Sequence, residues 1–168
     1  SIYEDLFKKF KGKDITFVEI GIQNGGSLEI WKKYFGKNSK IIGIDFNPEC
    51  KKFQKENINV EIGSQSDPEF WNKFFLKYGM VDIVLDDGGH TNHQQIITVN
   101  NCIKNIKNDG LLITEDTHTS YMKQFNNPSK YSFINFAKKS IDDVNYKFPE
   151  IGHFKNSINN FVYSIEFF

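Results

Sequence analysis

The sequence predicts an α/β fold, a doubly wound and mostly parallel sheet covered by helices on both sides. Three observations carry this expectation. Short apolar runs of strand length and β-branched content recur along the 168 residues. Helix-like segments lie between them, and strand–helix alternation of this kind means a parallel sheet. The tail breaks the pattern with two strand-like segments joined by a polar turn, the makings of an antiparallel hairpin.

The strands are expected at ITFVEI (Ile15–Ile20), KIIGIDF (Lys40–Phe46), INVEI (Ile58–Ile62), VDIVLD (Val81–Asp86) and GLLITED (Gly110–Asp116). Asn47-Pro48, Asp67-Pro68 and Asn127-Pro128 each place a capping side chain before a proline preset for a first helical turn. The segment EFWNKFFLKY puts Phe70, Phe74 and Phe75 on one face at helical spacing. A helix-like run follows around Tyr131 to Ile141. EIGHFKN and NNFVYSIEFF then form the hairpin that closes the sheet, with His153 in a structural place. Neither repeats nor a low-complexity linker interrupt the chain, so residues 1–168 read as one domain. The first residue is Ser1 and not Met, which also fits a piece of a longer chain.

The composition narrows the chemistry. A hydrophobic fraction of 39% with 17 Phe and 7 Tyr belongs to a packed globule. Lysine and arginine together number 21, as do aspartate and glutamate, so no long-range field recruits nucleic acid or an anionic membrane. Every basic residue is a lysine, and no guanidinium fork is available to clamp a phosphate. Cys50 and Cys102 lie far apart without metal-ligand spacing and read as small core residues in a reducing compartment. With no signal peptide and no apolar run long enough for a membrane span, the expected location is cytoplasmic.

In open parallel sheets, ligands bind at the carboxyl ends of the strands, near the point where strand order reverses. The first such end is VEIGIQNGGSLEIW. Gly21, Gly25 and Gly26 allow a tight turn and close approach to a ligand, and Ser27 and Leu28 begin a helix whose amides favour a carboxylate. Gln23 breaks the dinucleotide glycine spacing, and Glu19 would repel a pyrophosphate. Glu19 would instead welcome an amino group. Asp45 ends the second strand, where a carboxylate can accept from both hydroxyls of a ribose. Together these point to a nucleoside with an amino-acid-like tail. Ser64 and Gln65, after the third strand, are placed to edge an adenine, whereas Ser66 or Asp67 caps the next helix.

VDIVLDDGGH and LLITEDTHTSY end the fourth and fifth strands. Asp86, Asp87, Glu115 and Asp116 therefore converge on one edge. Four carboxylates repel one another unless a cation neutralises them, and oxygen ligands without cysteine suit Mg²⁺ or another hard divalent cation. His90 follows by one short turn, where an imidazole can take the proton of a hydroxyl as general base. Gly88 and Gly89 leave room for a substrate. His93 and His118 fit an orienting, substrate-contacting or surface role, and Tyr121 an acceptor-lining one.

VEIGIQNGGS, IIGIDFNP, VLDDGGH and ITEDTHTSY, in this order, resemble the class I S-adenosylmethionine-dependent methyltransferases, and within them the metal-dependent macrolide sugar O-methyltransferases. The likeness runs from about Phe17 to Tyr121. It implies a Rossmann-like, seven-stranded sheet whose last strand is antiparallel. It also implies that Glu19 and Gly21 lie in the cofactor turn and that Asp45 binds the ribose. Asp87, Glu115 and Asp116 then match the metal triad and His90 the base. Asp86 neighbours the cofactor or supports the triad, although either aspartate could be the ligand. Gly89 stands where the family often shows Ser. The macrolide enzymes also carry N-terminal structure used in assembly and substrate enclosure, so a homo-oligomer stays open.

The expected activity is transfer of a methyl group from S-adenosylmethionine, with Mg²⁺, to a hydroxyl of a small-molecule or saccharide acceptor. Capsular or lipopolysaccharide sugars, glycosylated natural products and catechol-like hydroxyls all fit. A metal-dependent hydrolase would use the same carboxylates and His90 but gives Glu19 and Asp45 no task. A non-catalytic S-adenosylmethionine-binding module would leave the acid–histidine set idle.

Overall fold

The computed structural model describes residues 2–125, 130–145 and 161–168. Strands β1 (Thr16–Ile20), β2 (Lys40–Asp45), β3 (Ile58–Ile62), β4 (Val81–Asp86) and β5 (Ile106–Thr114) form one sheet in the order β3-β2-β1-β4-β5. Every neighbouring pair is parallel. The helices are α1 (Ile2–Phe7), α2 (Gly26–Phe35), α3 (Pro68–Tyr78), α4 (Asn92–Cys102) and α5 (Phe133–Asn145).

Side-chain alternation along each strand sorts the core into two layers. Phe17, Ile41, Val60, Ile83 and Leu85 face one layer, with Phe7, Leu28 and Phe35 from α1 and α2. Val18, Ile42, Ile44 and Val84 face the other, with Trp71, Phe74 and Cys102 from α3 and α4. The short helix α1, not foreseen in the sequence, has Phe7 fully buried in ring contact with Phe17, Trp31 and Phe35. Asp67 caps α3 by accepting from the Glu69 amide at 2.9 Å, as its place before Pro68 suggested. Asn47 does the same for the helical turn Pro48–Phe53, accepting from Glu49 at 3.0 Å.

Among the described residues the sheet has five strands, all parallel, and these do not include the two further strands of the expected seven. Phe161–Phe168 forms no strand, and Tyr163 is 97% exposed with Phe167 and Phe168 also open to solvent. A strand needs a neighbour for its backbone groups, and this segment has none among the described residues. Glu150–Asn156, with His153, and the Asn127-Pro128 helix start lie outside the described residues. The fifth strand also starts and stops earlier than expected, so Glu115 and Asp116 sit beyond its end. No described helix is long and apolar enough to cross a membrane.

Candidate active site at the carboxyl edge

The chain runs outward from β1 through β2 to β3, then returns to place β4 on the other side of β1. The reversal lies between β1 and β4, where loops diverge and a ligand can enter. Gly21 is the pivot. Its φ is +87°, and a Cβ there would stand 2.2 Å from the Asp87 carbonyl oxygen. Only glycine lets the turn after β1 lie against the turn after β4.

On the β1–β2 side the acids are tied down. Glu19, 3% exposed, accepts from Ser27 Oγ at 2.7 Å and from Trp31 Nε1 at 3.0 Å. Burial still pushes its carboxyl above the usual range against those two bonds. Asp45 accepts from the Gln23 amide at 3.1 Å and the Asn47 amide at 2.9 Å. Gly25 is left-handed at φ +72°, and a side chain there would strike the Phe53 ring. Ser64 is exposed and accepts from the Ser66 amide of its own loop at 3.2 Å.

On the β4–β5 side, Asp87, His90 and Asp116 each offer one ligand atom, all within 4.8 Å of one another. His90 Nε2 lies 3.6 Å from Asp116 Oδ2, and His118 Nδ1 lies 3.8 Å from Asp116 Oδ1. Burial pushes the Asp87 carboxyl up; His90 pulls it down and Asp116 raises it again. Burial and then Asp116 push Glu115 up. The Asp87 and Glu115 side chains accept no hydrogen bond among the described residues. Two carboxylates drawn together, with burial working against the charged form of Asp87, fit a hard divalent cation, and the imidazole beside them is placed to take a proton.

Glu115 stands apart from that cluster. Its amide donates to the Asp86 carbonyl at 2.9 Å and its carbonyl accepts from Gln95 Nε2 at 3.1 Å. Asp86 and Gln65 lie beneath the turn, 2% and 6% exposed. Gln65 Nε2 donates to both Asp86 oxygens, at 2.9 and 3.1 Å, and to Thr98 Oγ1 at 3.0 Å. Burial pushes the Asp86 carboxyl up to about 6 in spite of these bonds and one from the Gly88 amide. His93 is exposed on α4, and Tyr121 is 61% exposed.

Sequence reasoning passed over Thr119 and the polar face of α4. The Thr119 hydroxyl lies 2.8 Å from the carbonyls of both His90 and Asp116, joining the two loops. Asn92, Gln95 and Thr98 are buried at three-residue spacing on α4. That spacing was the available signal, because residues three apart share one face of a helix, and a capping box (Thr91 and Gln94) marks where this helix starts.

No protein-family profile matches the chain. The 8-demethyl-8-alpha-L-rhamnosyl tetracenomycin-C 2'-O-methyltransferase of Streptomyces olivaceus is 27% identical over 154 residues, 86% of this chain and 40% of that protein. The demethylmacrocin O-methyltransferase of Streptomyces fradiae is 29% identical over 157 residues, 86% of this chain and 39% of that protein. The MycE methyltransferase from the mycinamycin biosynthetic pathway, in complex with Mg and SAH, superposes with a TM-score of 0.86 at 25% identity. That match covers 94% of this chain and 43% of MycE. The chain thus spans about two fifths of the length of these relatives. By sequence and by fold the chain is similar to class I S-adenosylmethionine-dependent methyltransferases, and among them to macrolide sugar O-methyltransferases.

Proposed function

We propose that residues 1–168 form the cofactor-binding and catalytic domain of a metal-dependent O-methyltransferase acting on a hydroxyl of a sugar or glycosylated compound. The observation that carries this reading is the Asp87–His90–Asp116 cluster, set directly beside the glycine turn at the reversal point of the sheet. The relatives supply the substrate class: their names specify methylation of rhamnosyl groups and of demethylmacrocin.

When bound, S-adenosylmethionine would supply an activated methyl group and a hard divalent cation would make the acceptor hydroxyl more acidic. Asp87 and Asp116 would hold the cation, with Glu115 one residue away. His90 takes the hydroxyl proton, and the Asp116 carboxylate at 3.6 Å favours the charged ring that results. The acceptor oxygen bonds to the methyl carbon as the carbon–sulfur bond breaks, its electron pair staying on sulfur. Asp45 holds the ribose hydroxyls with the lone pairs left by its two amide bonds. Glu19, Gly21, Gly25 and Ser27 shape the turn around the methionine end.

Calorimetric titration with S-adenosylmethionine and S-adenosylhomocysteine tests the reading. Wild-type protein is expected to bind both, and Asp45→Ala to bind them at least tenfold more weakly. Well-folded wild-type protein that binds neither overturns it. A hydrolase would be revealed by metal binding without either nucleoside.

A further inference from the structure

Beneath the acid–histidine cluster, two buried glutamine side chains each grip one of the loops that carry it. Gln65 reaches the β4 loop from β3's side. Its Nε2 holds the Asp86 carboxylate, and its Oε1 accepts from the Gly89 amide at 2.6 Å. Asp87 lies between those two anchor points and His90 one residue beyond. Gly88 has no room for a side chain, since a Cβ would stand 2.3 Å from Gln65 Oε1. Gln95, 1% exposed on α4, reaches the β5 loop through the Glu115 carbonyl, one residue before Asp116. The Gln95 Oε1 has no partner among the described residues. An amide buried with half its capacity unused costs stability, so packing does not explain its presence.

We infer that Gln65 and Gln95 are positioning residues that set the separation between Asp87 with His90 on one loop and Asp116 on the other. The inference rests on reading the cluster as a metal site. The physical reason is leverage: each amide fixes main-chain or carboxylate atoms within one or two residues of a ligand, from a rigid element below. Thr98 joins the arrangement by bonding to Gln65 from α4, the helix that also carries Gln95. One helix thereby indexes both loops.

The test is titration of the full chain with Mn²⁺, followed by electron paramagnetic resonance, with S-adenosylhomocysteine affinity and melting temperature measured in parallel. Gln95→Met is the principal variant, because it keeps the side-chain volume and deletes the unpaired acceptor along with the tether. Gln65→Asn, which shortens the arm, is the second. The expected result is Mn²⁺ affinity lower by about 10–100-fold, the usual consequence of losing a partner behind a metal ligand. In Gln95→Met, affinity for S-adenosylhomocysteine should change less than about threefold, and the protein should melt no lower than the wild type. Unchanged Mn²⁺ affinity in Gln95→Met would overturn the inference. So would parallel losses of Mn²⁺ affinity, nucleoside affinity and melting temperature, which would mark both glutamines as structural only. Wild-type protein that binds S-adenosylhomocysteine but no Mn²⁺ would remove the metal reading and this inference together, leaving the cofactor site standing.

Discussion

At the β1–β2 end of the carboxyl edge, Glu19 accepts from Ser27 and Trp31, and Asp45 from the amides of Gln23 and Asn47. At the β4–β5 end, the Asp87 and Glu115 carboxylates accept no hydrogen bond among the described residues, and the ion-pair partners of the Asp116 carboxylate there are His90 and His118. Both ends carry acids pushed up by burial. The difference lies in what compensates them. The first end is complete as a protein structure and offers a ligand spare lone pairs; the second is electrostatically incomplete. The incomplete cluster fits a cation better than the complete one does, whose acids already have protein partners.

That contrast can be broken most sharply at His90. His90→Asn should lower methyl transfer by about 10²–10⁴-fold, the usual worth of a general base, and leave S-adenosylhomocysteine affinity intact. Transfer rates against a panel of glycosylated hydroxyl acceptors, with calorimetry alongside, read both quantities. An equal loss of nucleoside binding would show that the two ends are not separable.

Gly21 is where the ends touch, so its effect should fall on both. Gly21→Ala places a Cβ against the Asp87 carbonyl in a left-handed conformation. Strain of this kind costs about 1–3 kcal/mol, with the clash adding to it. Urea unfolding should therefore shift to lower concentration, and a variant as stable as the wild type would mean the two turns do not press together as described.

Thr119→Val tests the bridge at the second end alone. It removes the hydroxyl between the His90 and Asp116 carbonyls at nearly constant volume. A net loss of about 1 kcal/mol is expected, with weaker Mn²⁺ binding and unchanged nucleoside binding. Equal weakening of both ligands would argue that the bridge serves the whole edge.

The smallest effect should lie outside both ends, at Glu61 on β3. Burial raises its carboxyl, but bonds from Lys77 and Tyr78 outweigh burial and leave it below the usual range. A depressed folded-state value means the pair stabilises the protein above the unfolded carboxylate value and loses that stabilisation as pH falls through the folded one. The residue is partly exposed, so roughly 0.2–1 kcal/mol is at stake. Glu61→Gln should narrow the stability difference between pH 7 and pH 3 by that amount in thermal melts, and a wider difference would reverse the sign argued here.

The strands β1 to β4 could be read in the sequence because their short β-branched runs are bounded by turn residues and place most of their apolar side chains in the core. Asp67 and Asn47 could be read because a capping side chain before proline acts locally. Gln65 could not. Its position after β3 suggests an adenine contact, yet its amide lies under the β4 turn, bonded to Asp86 and Gly89 from more than twenty positions away. The tail hairpin was expected from two strand-like segments joined by a polar turn, and a strand is a property of pairs. Phe161–Phe168 has the residues of a strand without a neighbour among the described residues.

The sequence by itself determined which chemistry the edge can hold: a glycine turn, Asp45, and two acidic pairs with a histidine, each at the end of an apolar run. Those are local facts, fixed by residue type and strand length. Tertiary structure alone decided how the acids are used. Strand order brought Asp87 and His90 to Asp116, and the direction of each strand's last side chain sent Asp86 inward and Asp87 out. Alternation makes adjacent aspartates face opposite ways, but only the packed helices say which way is the core.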